Sequence, residues 1–277
     1  MTTFQAIVYA IVNGLTELLP ISAKTHQVLV PYLMDWHPPT GPLLGALTLG
    51  SLCALLVYFR HDWASMISCT LQVILFRKKP MTLDERLPLF IGVSTLPALI
   101  ASSYFGQTLL ETEWSPPFLA AVFGAIGLPL WFFDSFSRKS KGLYDWNGLD
   151  ATIVGLTQVL AIAPGGDPLT GVLMGAFFLN YKRETAAKYA YFTSVPILVM
   201  ETLGHLKGVT LSLPAPMPEV SWLTFFVALI VTFFVSLLVI GAFMKHVLQR
   251  GMSQYVIYRC LFAGGICVVY WMRNHSF

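Results

Sequence analysis

Along the chain, apolar residues fall in long blocks rather than in alternation, and six blocks could cross a hydrocarbon layer of ~30 Å as helices of about 20 residues. They lie at about 41–60, 87–106, 117–136, 186–206, 221–243 and 253–272, each bounded by charge, proline or glycine. No ten-residue alternating pattern points to a barrel. Two further apolar stretches, 4–35 and 148–181, are broken in the middle, by "LPISAKTHQ" and "APGGDPLTG". Each predicts a helix, a loop and a second helix, with irregular backbone that is tolerated at membrane depth only inside protein or beside a wet cavity. The expected fold is an all-α polytopic membrane protein: one membrane domain over 1–277, with six transmembrane helices and two re-entrant helix-loop-helix hairpins.

Composition agrees. Of 277 residues, 56% are hydrophobic and 11% charged, with a mean hydropathy of +0.67, values foreign to a soluble domain. The formal charge of +3 is spread among loops and offers no basis for nucleic-acid binding. Cys53, Cys69, Cys260 and Cys267 lie in apolar runs without paired ligand spacing, so buried free thiols are expected rather than metal ligands or disulfides. The N-terminus "MTTFQAIVYAIVNG" lacks a basic region and a cleavage site and is expected to stay in the mature chain.

Loop charge sets an expected orientation. Arg60, Arg77, Lys78, Lys79 and Arg86 flank one loop, Arg138, Lys139 and Lys141 another, and Lys245 with Arg250 a third, whereas Glu111, Glu113 and Glu219 fall in the intervening loops. With the basic loops inside, both termini lie outside and the two hairpins enter from opposite faces. The hairpins also resemble each other: "GLTELLPI" (14–21) and "GLTQVLAI" (155–162) agree at five of eight positions, and three long runs follow each. Residues 1–140 and 141–277 therefore read as an inverted-topology repeat, an arrangement that places a binding site near the midplane where the broken helices meet. Glu17, Lys24 and His26, costly groups in hydrocarbon, are expected to line a cavity there.

The stretches "NGLTELLPISAKTH", "LTLGSLCALLVYF", "DATIVGLTQVLAIAPG", "KRETAAKYAYFTSVPI" and "YVIYRCLFAGG" resemble the undecaprenyl-diphosphate phosphatases, bacitracin-resistance membrane enzymes that recycle the cell-wall carrier lipid. The resemblance implies a bacterial inner (cytoplasmic) membrane protein, a polyprenyl phosphate or diphosphate as partner, Mg²⁺ or Ca²⁺ as cofactor, and hydrolysis of undecaprenyl diphosphate to the monophosphate; a homodimer is left open. The first family motif, Glu/Gln-Gly-x-x-Glu-x-x-Pro-x-Ser-Ser-x-Gly-His, matches Glu17, Pro20, Ser22 and His26, while Asn13, Ala23 and Thr25 depart from it. In the second, Pro-Gly-x-Ser-Arg-Ser-Gly-x-Thr, only the leading Pro164 and Gly165 survive. Asp167 and Leu169 replace the serines, Pro168 the arginine, Thr170 the glycine and Val172 the threonine.

These departures bear on the chemistry. Phosphoryl transfer needs a positioned nucleophile together with positive charge or donors where negative charge accumulates, and proline cannot supply an arginine's bidentate fork. The residues implied as catalytic are Glu17, Ser22 and His26. Asn13, Lys24, Gly165, Gly166, Asp167 and Thr170 are candidates for binding substrate: Lys24 as a replacement cation, the two glycines as an amide nest, and the Thr170 hydroxyl at the start of a half-helix. Asp167 argues for a bridging divalent ion, shared with Glu17, or for a salt bridge to Lys24. Structural readings stand beside these: Glu17 bonded to backbone amides, His26 as a satisfied hydrogen-bonder, Lys24 snorkelling to the interface, and Ser22 as an N-cap. Gly165 and Gly166 could equally serve turn geometry, and Arg259 and Glu201 read as structural partners rather than catalysts. Hydrolase, non-hydrolytic lipid carrier and structural subunit all remain open at this point.

Overall fold

A computed structural model describes residues 2–112, 114–210 and 220–275. Among them run eleven α-helices and no strand: α1 Thr3–Thr16, α2 Ala23–Met34, α3 Gly41–Tyr58, α4 Arg60–Leu75, α5 Leu83–Glu111, α6 Pro116–Phe136, α7 Gly148–Gln158, α8 Pro168–Phe178, α9 Arg183–Thr210, α10 Trp222–Gln249 and α11 Ser253–His275. Local sequence sets many of the starts. Thr2 with Gln5 and Thr82 with Glu85 form capping boxes, Ser22, Asn147, Asp167 and Ser221 cap with their side chains, and proline opens α6 and α8.

Five helices, α3, α5, α6, α10 and α11, are long and apolar enough to cross a membrane, so the chain is a multi-pass membrane protein. α9 covers the sixth expected run and is longer than a span requires, but carries Lys188 and Glu201 within it and is not among the five. α4 was expected as part of a basic loop. Its sequence is instead amphipathic, with Met66 buried and Trp63 packed on the core while Ile67, Leu71, Ile74 and Leu75 stay exposed. The cysteines are free, yet their expected burial is corrected: Cys53 and Cys69 are half-buried, and Cys260 and Cys267 lie exposed on the outer surface of α11. Glu113 and Glu219, used above for orientation, lie outside the described residues.

The two interrupted stretches each fold as a pair of short helices. In the first, Phe4 and Tyr9 pack edge-on against Trp36, and the Tyr9 hydroxyl donates to the carbonyl of His37 at 2.9 Å, closing the base. Thr3 lies beside Thr224 (3.4 Å between hydroxyl oxygens), and Arg273 bonds Tyr32 and Asp35, which puts this base where α10 begins and α11 ends. In the second, Tyr181 stacks on Trp146 and donates to Asp150 at 2.7 Å. Its neighbours are the start of α9, the end of α6 and the α10–α11 turn, where Arg183 bonds Asp134 at 2.7 and 3.0 Å and Asp134 accepts from the Met252 amide. The bases therefore sit at opposite ends of the bundle, and the tips meet inside it.

Close helix approach holds the bundle together. A Cβ on Gly50 of α3 would lie 2.7 Å from the Leu229 carbonyl and 2.9 Å from the Thr232 Cβ of α10, and one on Gly155 of α7 would lie 2.8 Å from the Ser94 carbonyl of α5. Backbone cannot retreat as a side-chain tip can. Gly50→Val should lower stability by about 1–3 kcal/mol through overpacking, whereas Gly92→Ala, where a Cβ meets nothing within 4 Å, should not lower it. Thermal unfolding of the two variants in detergent measures the contrast.

Candidate functional site

The tips converge on Arg259, an arginine on α11 that is fully buried. A guanidinium carries five N–H donors, and each has an acceptor here. Nε donates to the Pro20 carbonyl at 2.8 Å, and Nη1 to the carbonyls of Phe123 (3.0 Å) and Gly165 (3.3 Å). Nη2 donates to the Thr170 hydroxyl at 2.9 Å and to the carboxylate of Asp167. The group also lies 4.7 Å from the centroid of the Phe123 ring. One side chain thus joins the first tip, the second tip and α6.

Asp167 caps α8. Its Oδ1 accepts from the Thr170 amide and its Oδ2 from the Thr170 hydroxyl, both at 2.7 Å. Neither Asp167 nor Thr170 is open to a ligand in this arrangement. The expected pair between Asp167 and Lys24 is corrected: Asp167 pairs with Arg259, and Lys24 pairs with Glu201 of α9 at 2.7 Å. The expected amide nest also needs correction, because the Gly166 amide donates to the Ala163 carbonyl at 2.9 Å. Gly165 adopts φ +81°, a left-handed turn position that favours glycine, and a Cβ there would meet the Phe123 backbone.

Ser22 is buried, with φ 58° and ψ 94°, an unusual backbone for a residue with a side chain. Its hydroxyl donates to the Gly166 carbonyl at 2.8 Å, ties the two tips directly, and accepts from Thr25. The His26 ring does not touch that hydroxyl. Its Nδ1 lies 2.8 Å from the Ser22 carbonyl and its Nε2 2.7 Å from the Tyr258 hydroxyl, which assigns the proton to Nδ1 and makes Tyr258 the donor to Nε2. Phe262 stacks on the ring at 4.7 Å. Asn13 is buried and linked to Gln27 (2.8 Å) and Ser51 (3.5 Å), a cross-brace between α1, α2 and α3. Beside it Glu17 is half-buried and feels the charges of Glu201, Lys24 and Asp167.

The structure therefore gathers Ser22, His26, Gly165, Gly166, Asp167 and Thr170 around Arg259, and sets Lys24 apart from them. Lys24 has a side chain that is 58% exposed and lines a cavity of about 560 Å³. The walls are Ala98 and Leu99 of α5, Ala161, Ile162 and Pro168 of the second pair, and Ile197 and Met200 of α9; the polar groups are Lys24, Glu201, Ser102, Ser103 and His205. Sequence reasoning missed the α5 and α9 walls and the role of Tyr258. Arg259 did carry a signal, being a cation inside an apolar run. For the divalent ion the resemblance implies, the residues present do not fit as arranged. Among the described residues no three His, Cys, Asp or Glu side chains converge, and both Asp167 oxygens are already engaged.

Comparison with known proteins agrees with the motifs. The bacitracin resistance protein BacA family matches residues 6–265. The chain is similar to the undecaprenyl-diphosphatase of Moorella thermoacetica, at 34% identity over 275 residues, which covers 99% of this chain and all of that protein.

Removing the central cation should unlock both tips. Arg259→Leu leaves the Asp167 carboxylate buried without its partner and three carbonyls without donors, so a loss of roughly 3–5 kcal/mol is expected. Tyr258→Phe, which removes one hydrogen bond, should cost about 1 kcal/mol. Chemical denaturation of both variants in the same detergent gives the ratio, and equal small losses would assign the tips' cohesion to apolar packing.

Proposed function

The chain belongs to the bacitracin resistance protein BacA family, and from that premise we propose that it binds the phosphate-bearing headgroup of a polyprenyl carrier lipid in the cavity beside Lys24. One observation carries the reading. Pro168, where the family motif has its arginine, and Lys24 line the same cavity, so the cation lost from one wall has a counterpart on another. Lys24 is ion-paired to a partly exposed Glu201, and an anionic headgroup can compete for that pair. The apolar walls suit an isoprenoid chain, in the usual combination of greasy lining and few polar groups.

The same reading makes this a binding or carrying site rather than a Ser–His hydrolytic one. Ser22 is buried and bonded to Gly166 and Thr25, His26 faces Tyr258, and the arginine fork is absent at 168. Hydrolysis is the second reading, favoured by the name of the similar Moorella protein and by Glu17, Ser22 and His26 standing at their motif positions.

The proposed setting is the cytoplasmic membrane of a bacterium, with six crossings and two re-entrant pairs in an inverted repeat of 1–140 and 141–277. Packing supports this. α1 packs on α10 as its counterpart α7 packs on α5, the same contact made from each half, while α3 meets its counterpart α9 and α6 its counterpart α11. Gly14 and Gly155, matched in the internal repeat, each sit at a close approach, to Val235 of α10 and to Ser94 of α5.

In nanodiscs, Lys24→Ala should weaken binding of a polyprenyl monophosphate about tenfold or more, the scale of one hydrogen bond to a charged group, while Glu201→Gln should bind as well as or better than wild type. Phosphate release from undecaprenyl diphosphate should run at least about 100-fold below that of a sequence-typical family member. Turnover within about tenfold of that control would replace the first reading with the second.

A further inference from the structure

We propose that Asp167 is a built-in anion that fills a phosphate subsite at the head of α8. Its carboxylate takes a backbone amide from the first turn of α8, the hydroxyl of Thr170 and the guanidinium of Arg259. A helix-terminal amide, a hydroxyl and a buried arginine are the donor types that otherwise receive a phosphate group. Here the chain supplies the anion itself.

Capping does not explain the acid. A serine, the residue of the family motif at this position, caps a helix as well as aspartate does. What only an acid adds is a negative charge against Arg259, and the other four donors of that guanidinium reach neutral oxygens: the carbonyls of Pro20, Phe123 and Gly165 and the Thr170 hydroxyl. With serine at 167, the buried cation would need an anion from outside, and the space freed beside Arg259 and Thr170 is where it would sit. Asp167 therefore closes to phosphate a place that the fold is otherwise equipped to offer. The inference rests on reading this region as a phosphate-handling site, but its probe is inorganic phosphate rather than lipid, so failure of one reading is separable from failure of the other.

The test compares wild type with Asp167→Ser in detergent, titrated with inorganic phosphate against chloride at matched ionic strength, and read by calorimetry and by thermal stability. Wild type should show no phosphate effect beyond one that Lys24→Ala removes, because the Lys24 cavity remains open to an anion while the α8 subsite is filled. Asp167→Ser should gain one, about tenfold or more tighter than any wild-type response, as expected for charge-assisted hydrogen bonds. Adding Arg259→Leu should remove the gain, and adding Lys24→Ala should leave it. The proposal is overturned if Asp167→Ser responds as wild type does, if the gain survives without Arg259, or if it depends on Lys24, which would move the anion to the cavity. Should Asp167→Ser not extract as a folded protein in chloride, extraction in phosphate decides: recovery of a monodisperse folded species supports the subsite, and none in either buffer makes Asp167 a structural acid alone.

Discussion

A cation sealed inside a membrane protein has to be met on every side, and the arrangement of both interrupted helix pairs follows from how Arg259 is met. Isolated, its charge would be expensive in a medium of low dielectric. Surrounded by three backbone carbonyls, a hydroxyl and a carboxylate, it becomes a fastening instead. Two of the three carbonyls it uses lie where the helices are broken, Pro20 in the first break and Gly165 in the second, and the third, Phe123, belongs to the continuous helix α6. The arginine and the irregular backbone thus solve each other's problem, and the Ser22 hydroxyl bonded to Gly166 and the Tyr191 hydroxyl donating to Leu18 complete the closure.

Much of the fold was legible in the chain. Proline and glycine placed mid-run located both breaks, and the apolar blocks located the long helices to within a few residues. Partner choice was not legible. Lys24 and Asp167 are close in function on paper, but the rotation of α9 and α11 brings Glu201 to the first and Arg259 to the second, and rotation about a helix axis is poorly marked in an almost wholly apolar run. The same ambiguity explains Cys260 and Cys267, whose surroundings in sequence are greasy whichever way they point. α4 escaped because an amphipathic helix between charged ends resembles a loop when the eye is set for spans.

The site shows what a family pattern can lose while its frame persists. Five specified positions of the second motif have changed, yet the loop still turns at Gly165, still caps α8 at residue 167 and still touches the first tip. The course of the loop and the residues that fill its positions are separable layers of one structure. The cavity wall that lost its arginine at 168 faces a lysine from the other pair, whereas the buried knot behind it has become electrically self-contained.

The pairing of helices also governs how the protein is made. α1 finds α10, α3 finds α9 and α10, α5 finds α7, and α6 finds α11, so the first half of the chain has its main neighbours in the second. During synthesis α1 to α10 emerge before Arg259 of α11, which closes the tips. The tips consequently cannot be fastened until α11 has been made. A nascent chain stalled before α11 would hold two unfastened hairpins in the membrane, the form that quality-control proteases and insertion chaperones are built to meet.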